Sequence, residues 1–182
     1  PQWIEGSFLT AEVVTVIGGS ALRLTWPASI DNQAVTLYRV YQQDMEIGVV
    51  PSNRTQFTLI DLEEGKSYTL AVYAEDAAGN RSIALESSVN AADESPPFWQ
   101  ERASINVSDI TETSATLSWS PAQDQVAVFQ YQIYLNGQFV GESNDSSYQA
   151  DQLTPFTHYD VEIVAVDAVG LRSTSNLIFR FT

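Results

Sequence analysis

The stretch ALRLTW, residues 21–26, decides the fold of this chain. Its two leucines and its tryptophan fall on one side of an extended backbone, while its arginine and threonine fall on the other. Such a period of two indicates a β-strand with one buried face. The pattern returns in the second half of the chain as SATLSW, residues 114–119.

The second stretch belongs to an internal repeat that covers nearly the whole chain. The two copies align at an offset of 93 residues, and at 91 residues after a gap of two. The aligned pairs include Trp26 and Trp119, Tyr38 and Tyr131, Leu62 and Leu153, and Tyr68 and Tyr159. Two copies are too few for a solenoid. We therefore expect two domains, residues 1–93 and 94–182, joined by a linker at about 91–97.

Each copy contains further short alternating runs, separated by turn residues. Residues 68–75 and 159–166 alternate in the same way. Asn136-Gly137 lies between two apolar runs and predicts a two-residue hairpin, because both residues tolerate positive φ. Gly79 and Gly170 are predicted to supply a left-handed residue in a later turn. Short strands at regular spacing predict a sandwich or a barrel.

These residues resemble the fibronectin type III family. The family has a core tryptophan near the end of its second strand and a tyrosine on its third. It also has a leucine-to-tyrosine spacing before its sixth strand, known as the tyrosine corner. Residues 74–82, AEDAAGNRS, and the Pro-x-Trp segments at 1–3 and 97–99 are similar to bacterial extracellular members.

The resemblance implies an all-β fold, with two immunoglobulin-like (fibronectin type III) seven-stranded β-sandwiches in tandem. The implied core residues are Trp26, Tyr38, Leu62, Tyr68, Trp119, Tyr131, Leu153 and Tyr159.

Composition excludes several classes of function. The net charge of −15 comes from 23 acidic and 8 basic side chains, so nucleic acids and anionic membrane surfaces are repelled. No apolar run approaches the ~20 residues of a membrane span, so we expect no membrane insertion. Cysteine is absent, which excludes disulfides and thiolate metal sites. We expect a monomer whose domains are held by their cores alone.

Little in the sequence can form an active site. His158 is the single histidine, and Asp160 falls on the same strand face, but we interpret His158 as a surface turn residue. No phosphate-binding loop, serine elbow or metal-binding helix motif is present. We therefore predict no enzyme activity, no catalytic residues, no metal and no cofactor.

Four aspartates recur at matched positions of the two copies. Asp31 and Asp124 follow the second-strand tryptophans, and loop carboxylates of this kind are candidate Ca²⁺ ligands, although no calcium-loop spacing is present. Asp76 and Asp167 each lie five residues before an arginine, at the last turn. We expect an ion pair from Asp76 to Arg81, and its equivalent in the second copy.

One surface of the predicted fold is a candidate binding site. Apolar side chains on the outward side of a sheet can mark an interaction surface, although ordinary cross-strand pairing is the competing interpretation. The predicted binding residues are Tyr41, Tyr73, Tyr134, Val164 and Val166, with Phe98 and Trp99 at the joint between the domains. For Phe98 and Trp99 the competing interpretation is that they close the end of the second sandwich.

The leading hypothesis is a non-catalytic spacer or interaction module of a larger secreted or cell-surface protein, with the periplasm as a further location. Its partners are the neighbouring domains of the same polypeptide, and another protein or a polysaccharide is an additional candidate. One alternative is a carbohydrate-binding accessory module of an extracellular polysaccharide-active enzyme. Another alternative is a fragment of an adhesion protein or receptor ectodomain.

Overall fold

The computed structural model describes residues 1–17 and 19–182. The chain divides into two compact units, Pro1–Ala92 and Asp93–Thr182, which we call domain 1 and domain 2. Over the described residues each domain has seven strands and no helix. The predicted all-β fold, with two seven-stranded sandwiches, is therefore confirmed.

Domain 1 consists of two antiparallel sheets. A three-stranded sheet has the order β1-β2-β5, and a four-stranded sheet has the order β4-β3-β6-β7. The strands are β1 Thr10–Val16, β2 Gly19–Thr25, β3 Val35–Gln42, β4 Met45–Pro51, β5 Gln56–Leu59, β6 Ser67–Asp76 and β7 Leu85–Asn90.

Domain 2 repeats this arrangement. Its sheets have the orders β12-β9-β8 and β11-β10-β13-β14. The strands are β8 Ile105–Ser108, β9 Ser114–Trp119, β10 Val128–Leu135, β11 Gln138–Ser143, β12 Ser147–Asp151, β13 Tyr159–Asp167 and β14 Leu177–Phe181.

Each core has the same arrangement of three aromatic rings. In domain 1 the Trp3 ring stacks on Tyr38 at 5.9 Å, and Trp26 meets Tyr38 edge to face at 5.5 Å. The Tyr38 hydroxyl accepts a hydrogen bond from the backbone N–H of Ser29 at 3.1 Å. That bond ties the loop after the second strand to the third strand. In domain 2 the corresponding rings are Trp99, Tyr131 and Trp119.

The tyrosine corner is present in both domains. The Tyr68 hydroxyl accepts a hydrogen bond from the backbone N–H of Glu63 at 2.9 Å. The Tyr159 hydroxyl accepts one from Thr154 at 2.8 Å. Of the eight implied core residues, Leu62 and Tyr159 are half-buried and pack against the cores, and the other six are buried.

The predicted turns are confirmed. Asn136 and Gly137 form the two-residue loop between β10 and β11, with φ values of 52° and 76°. Gly79 and Gly170 also have positive φ, of 84° and 93°. In each case the residue type matches the left-handed backbone that the turn requires.

Candidate functional site

The outer face of the four-stranded sheet in domain 1 has a network of charged side chains around Glu75. The buried Glu75 carboxylate accepts hydrogen bonds from Arg39 Nε at 2.6 Å and Arg39 Nη2 at 2.9 Å. Arg81 Nε donates to the same carboxylate at 2.7 Å. Arg39 Nη1 also donates to Glu46, which accepts a second bond from the Tyr41 hydroxyl. We call these five residues the Glu75 network.

The Glu75 network holds its central carboxylate in the charged form. The bonds from Arg39 and then from Arg81 lower the pKa of Glu75 from 4.5 to about 2. In return, bonds to Glu75 and then to Glu46 raise the pKa of Arg39. A general acid or base needs a pKa close to the working pH. The arrangement therefore supports the sheet rather than transferring protons.

Domain 2 replaces the acids of this network with apolar residues. Arg172, which aligns with Arg81, donates instead to Gln132 Oε1 at 2.7 Å and to the Tyr134 hydroxyl at 3.1 Å. The Arg172 guanidinium also lies 5.9 Å from the centre of the Tyr134 ring. In the network, Gln132 replaces Arg39, Phe139 replaces Glu46 and Val166 replaces Glu75. Outside the network but on the same face, Val164 replaces Tyr73.

The predicted exposure of Val164 and Val166 is wrong. Both lie on the outward side of β13, but Val164 is only 2% exposed and Val166 only 7%. Gln132 pairs directly across from Val164, and Arg172 forms a bridge with Val166. The hydrogen bonds among Arg172, Gln132 and Tyr134 hold long side chains across this face, which shields the two valines.

The predicted aromatic residues lie in edge-to-face pairs. Tyr41 and Tyr73 are half-buried, and their rings are 5.5 Å apart at 81°. Tyr134 is also half-buried and meets the exposed Phe139 at 5.6 Å and 65°. Rings at these angles do not make one flat platform on either sheet.

Phe98 and Trp99 have different environments. Phe98 is 45% exposed, and its backbone exchanges two hydrogen bonds with Gln123. Trp99 is half-buried, packs against the core of domain 2 and stacks on Tyr131. The half-buried Trp99 ring closes the sandwich, in agreement with the competing interpretation, and its role as a binding residue stays a prediction. Phe98 remains a candidate surface residue.

His158 and Asp160 do not form a pair. Asp160 Oδ1 and Oδ2 accept hydrogen bonds from Arg180 at 2.5 and 2.8 Å, and this contact lowers the pKa of Asp160. His158 Nδ1 contacts the Thr182 hydroxyl. Each side chain is thus engaged with a partner on or just beyond β14.

The prediction of an ion pair between the aspartate and the arginine of each last turn is wrong. Arg81 bonds Glu75 rather than Asp76, and Arg172 bonds neutral groups. Oδ1 of each aspartate instead accepts two backbone N–H groups of the turn that follows. The donors are Ala78 and Asn80 for Asp76, and Val169 and Leu171 for Asp167.

One feature of domain 2 was not among the predicted site residues. A groove of about 440 Å³ lies beside Phe156, which is fully exposed and has a left-handed backbone with φ of 57°. The aligned residue of domain 1 is Gly65, with φ of 66°. The replacement of a turn glycine by an aromatic residue at an offset of 91 is the sequence signal that identifies this position. The apolar lining includes Ile110, Leu153, Pro155, Tyr159 and Phe181.

The described residues contain neither a metal-site cluster nor a membrane-spanning helix. No group of three or more His, Cys, Asp and Glu side chains has the spacing of a metal site within residues 1–17 and 19–182. Over the same residues no helix is long and apolar enough to cross a membrane.

The chain is similar to parts of larger proteins. Chitinase A1 of Niallia circulans is 30% identical over 170 residues, which cover 90% of this chain and 24% of that protein. Exoglucanase B of Cellulomonas fimi is 27% identical over 163 residues, which cover 85% of this chain and 14% of that protein. This chain therefore spans a quarter or less of the length of these curated relatives.

One solved structure and one family model each match most of the chain. A segment of two fibronectin type III domains from chicken tenascin aligns with a TM-score of 0.43 at 22% identity, covering 95% of this chain and 97% of that one. The family model described as "Fibronectin type III domain" matches twice, over residues 10–89 and 95–180. The chain belongs to the fibronectin type III family and contains two copies of its domain.

Proposed function

We propose that this chain is a non-catalytic module of a larger extracellular protein, in which it spaces and orients the neighbouring domains. The observation that carries the proposal is that two copies of one sandwich, each with its own closed core, take up the chain. The chitinase and exoglucanase relatives support it, because the matched region is a small part of each. Chitin and glucan polymers are met outside the cell, which favours a secreted or surface location.

The local chemistry also supports a structural role. The charged side chains on the outer faces are bonded within their own domain, as in the Glu75 network and in the pair of Asp160 with Arg180. Paired in this way, they are unavailable for acid–base work on a substrate.

A carbohydrate-binding module is the alternative from a different class. Such a module stacks sugar rings on exposed, coplanar aromatic side chains. The edge-to-face pairs of Tyr41 with Tyr73 and of Tyr134 with Phe139 favour the spacer over this alternative. Incubation of the purified chain with insoluble chitin and cellulose separates the two. We expect the chain to stay in the supernatant, and saturable retention on either polymer would replace the spacer proposal with the alternative.

The spacer role is testable by exchange into a relative. The region of Chitinase A1 from Niallia circulans that matches this chain is replaced by this chain, or by a Gly/Ser linker of the same length. A Gly/Ser linker behaves as a flexible coil and does not fix the separation of its ends. We expect this chain to preserve hydrolysis of insoluble chitin, and the linker to lose much of it.

Soluble chitin oligomers are the control, because a short soluble substrate reaches an active site whatever the spacing of the neighbouring domains. All versions are expected to cleave them equally well. If the flexible linker supports hydrolysis of insoluble chitin as well as this chain does, the spacer role is refuted.

A further inference from the structure

Strand β14 is an edge strand of domain 2 that has a partner on one side alone. It ends the order β11-β10-β13-β14, and it pairs with β13 from Leu177 to Phe181 without a register shift. Apart from this ladder, the backbone of these residues makes no backbone–backbone hydrogen bond with another described residue. An edge of this kind presents a row of N–H and C=O groups that can pair with a strand of another chain.

The other edges of the two four-stranded sheets have features that discourage such pairing. Strands β4 and β11 each show a register shift against their inner neighbour. A bulge of this kind bends and twists the edge away from a partner. Strand β7 carries the exposed side chain of Glu86, and a charge on an edge strand also opposes pairing.

Strand β14 is apolar where the corresponding strand of domain 1 is polar. Ile178 stands at the position of Glu86, because their cross-strand partners, Glu162 and Ala71, are aligned. Phe179 in the same way takes the place of a serine. Ile178 is 73% exposed and Phe179 is 41% exposed. Domain 2 thus lacks, on this edge, the protection that domain 1 has.

The charge on β14 is neutralised within the domain. Arg180 is the charged residue of the strand, and its guanidinium donates to both oxygens of Asp160. Two copies of a chain with a net charge of −15 repel each other. This edge adds little to that repulsion, so two copies can meet here without like charges in direct opposition.

We propose that β14 pairs with β14 of a second copy of this chain, antiparallel and around a two-fold axis. A strand that pairs with itself in this way makes an isologous contact, which closes after two chains. With Phe179 at the axis, the two Phe179 rings lie across from each other, and each Ile178 faces Arg180 of the other copy. The stem of that arginine covers Ile178. Its guanidinium enters the cross-strand row of Glu162, and opposite charges in such a row are favourable.

The contact is small, which determines its strength. Five residues at ~3.4 Å each span about 17 Å. The buried area therefore falls below the ~1,200 Å² at which stable interfaces begin. We expect a weak, reversible dimer, and the monomer expected from the sequence is then the form of the chain at low concentration.

The test is sedimentation equilibrium of the full chain up to about 1 mM protein, in about 0.15 M NaCl to screen the net charge. We expect the average mass to rise reversibly from that of one chain towards that of two. Hydrogen exchange over the same concentrations locates the contact. The amides of β14 that point away from β13 should exchange more slowly as the concentration rises, whereas those of β7 should not change.

A lysine at one of two exposed isoleucines of domain 2 separates edge pairing from general association. Ile178→Lys places a charge on the edge, opposite Arg180 of the other copy, and is expected to keep the chain monomeric. The variant is less acidic than the parent chain, so a loss of association cannot come from greater repulsion. Ile110→Lys is the matched control, since Ile110 is 54% exposed and lies outside the strands. It should associate as the parent chain does, and a dispersed amide spectrum shows that both variants are folded.

Three results would overturn the proposal. The first is a parent chain that stays monomeric over the whole concentration series. The second is association that Ile178→Lys leaves unchanged, or that Ile110→Lys weakens equally, because the contact then lies elsewhere. The third is a rise in mass with no change in the exchange of the β14 amides.

Discussion

Replacement of Phe156 by glycine is expected to stabilise domain 2, although it removes a large apolar side chain. Phe156 has a φ of 57°, and a left-handed backbone costs a non-glycine residue about 1–2 kcal/mol. Its side chain is fully exposed, so truncation sacrifices no buried area. Glycine loses about 0.5–1 kcal/mol more conformational entropy on folding than other residues. The difference leaves a gain of up to about 1.5 kcal/mol, with a midpoint of ~0.75 kcal/mol, which is a rise in Tm of roughly 3–6 °C for a domain of this size.

The assay is native-state hydrogen exchange on the full chain, because it reports on each domain separately. The amides of Val161 and Ile163, at the centre of β13, exchange through global opening of domain 2. Phe156→Ala is the matched control, since it removes the ring but keeps a Cβ atom in the left-handed conformation. The reciprocal change in domain 1, Gly65→Ala, should destabilise that domain by about 1 kcal/mol.

The reasoning is refuted if Phe156→Gly is no more stable than Phe156→Ala. That result would mean that the backbone of this loop relaxes at no cost.

Three further predictions concern the cores and the Glu75 network. Trp119→Ala should destabilise domain 2 by about 3–5 kcal/mol through loss of a buried ring against Tyr131, measured by urea unfolding; a loss below 1 kcal/mol would contradict its place in the core. Tyr159→Phe should cost about 1 kcal/mol, because the N–H of Thr154 loses its acceptor, and an unchanged Tm would argue against the corner bond. The stability that the Glu75 carboxylate provides is fully present above pH 4.5 and is lost as the pH falls towards about 2, its folded-state pKa. Acid titrations should therefore show this loss in the parent chain but not in Glu75→Gln, and equal acid sensitivity of the two would exclude the mechanism.

The strands and turns were predictable because their signals are local. Alternation along residues 21–26 identifies a strand without knowledge of its neighbours, and Asn136-Gly137 specifies its own backbone. The repeat added long-range information, because aligned tryptophans and tyrosines must occupy equivalent places in two copies of one fold. The resemblance to a known family rested on these same positions.

The partners of surface side chains were not predictable in the same way. Adjacent residues of a strand point to opposite faces, so Glu75 and not Asp76 shares the outer face with Arg39 and Arg81. Sequence spacing alone does not decide between two neighbouring acids. The burial of Val164 has a similar origin, because alternation gives its direction but not the side chains that other strands place over it.

The divergence of the outer faces affects how a chain with two copies of one fold reaches its native state. Tandem repeats are prone to exchange strands during folding. If β13 took the place of β6, Val166 would stand where Arg39 and Arg81 require a carboxylate, and two guanidinium groups would lose their buried partner. The Glu75 network thus makes the correct pairing favourable and the exchanged pairing costly. We therefore expect the charged cluster to help each half of the polypeptide select its own strands.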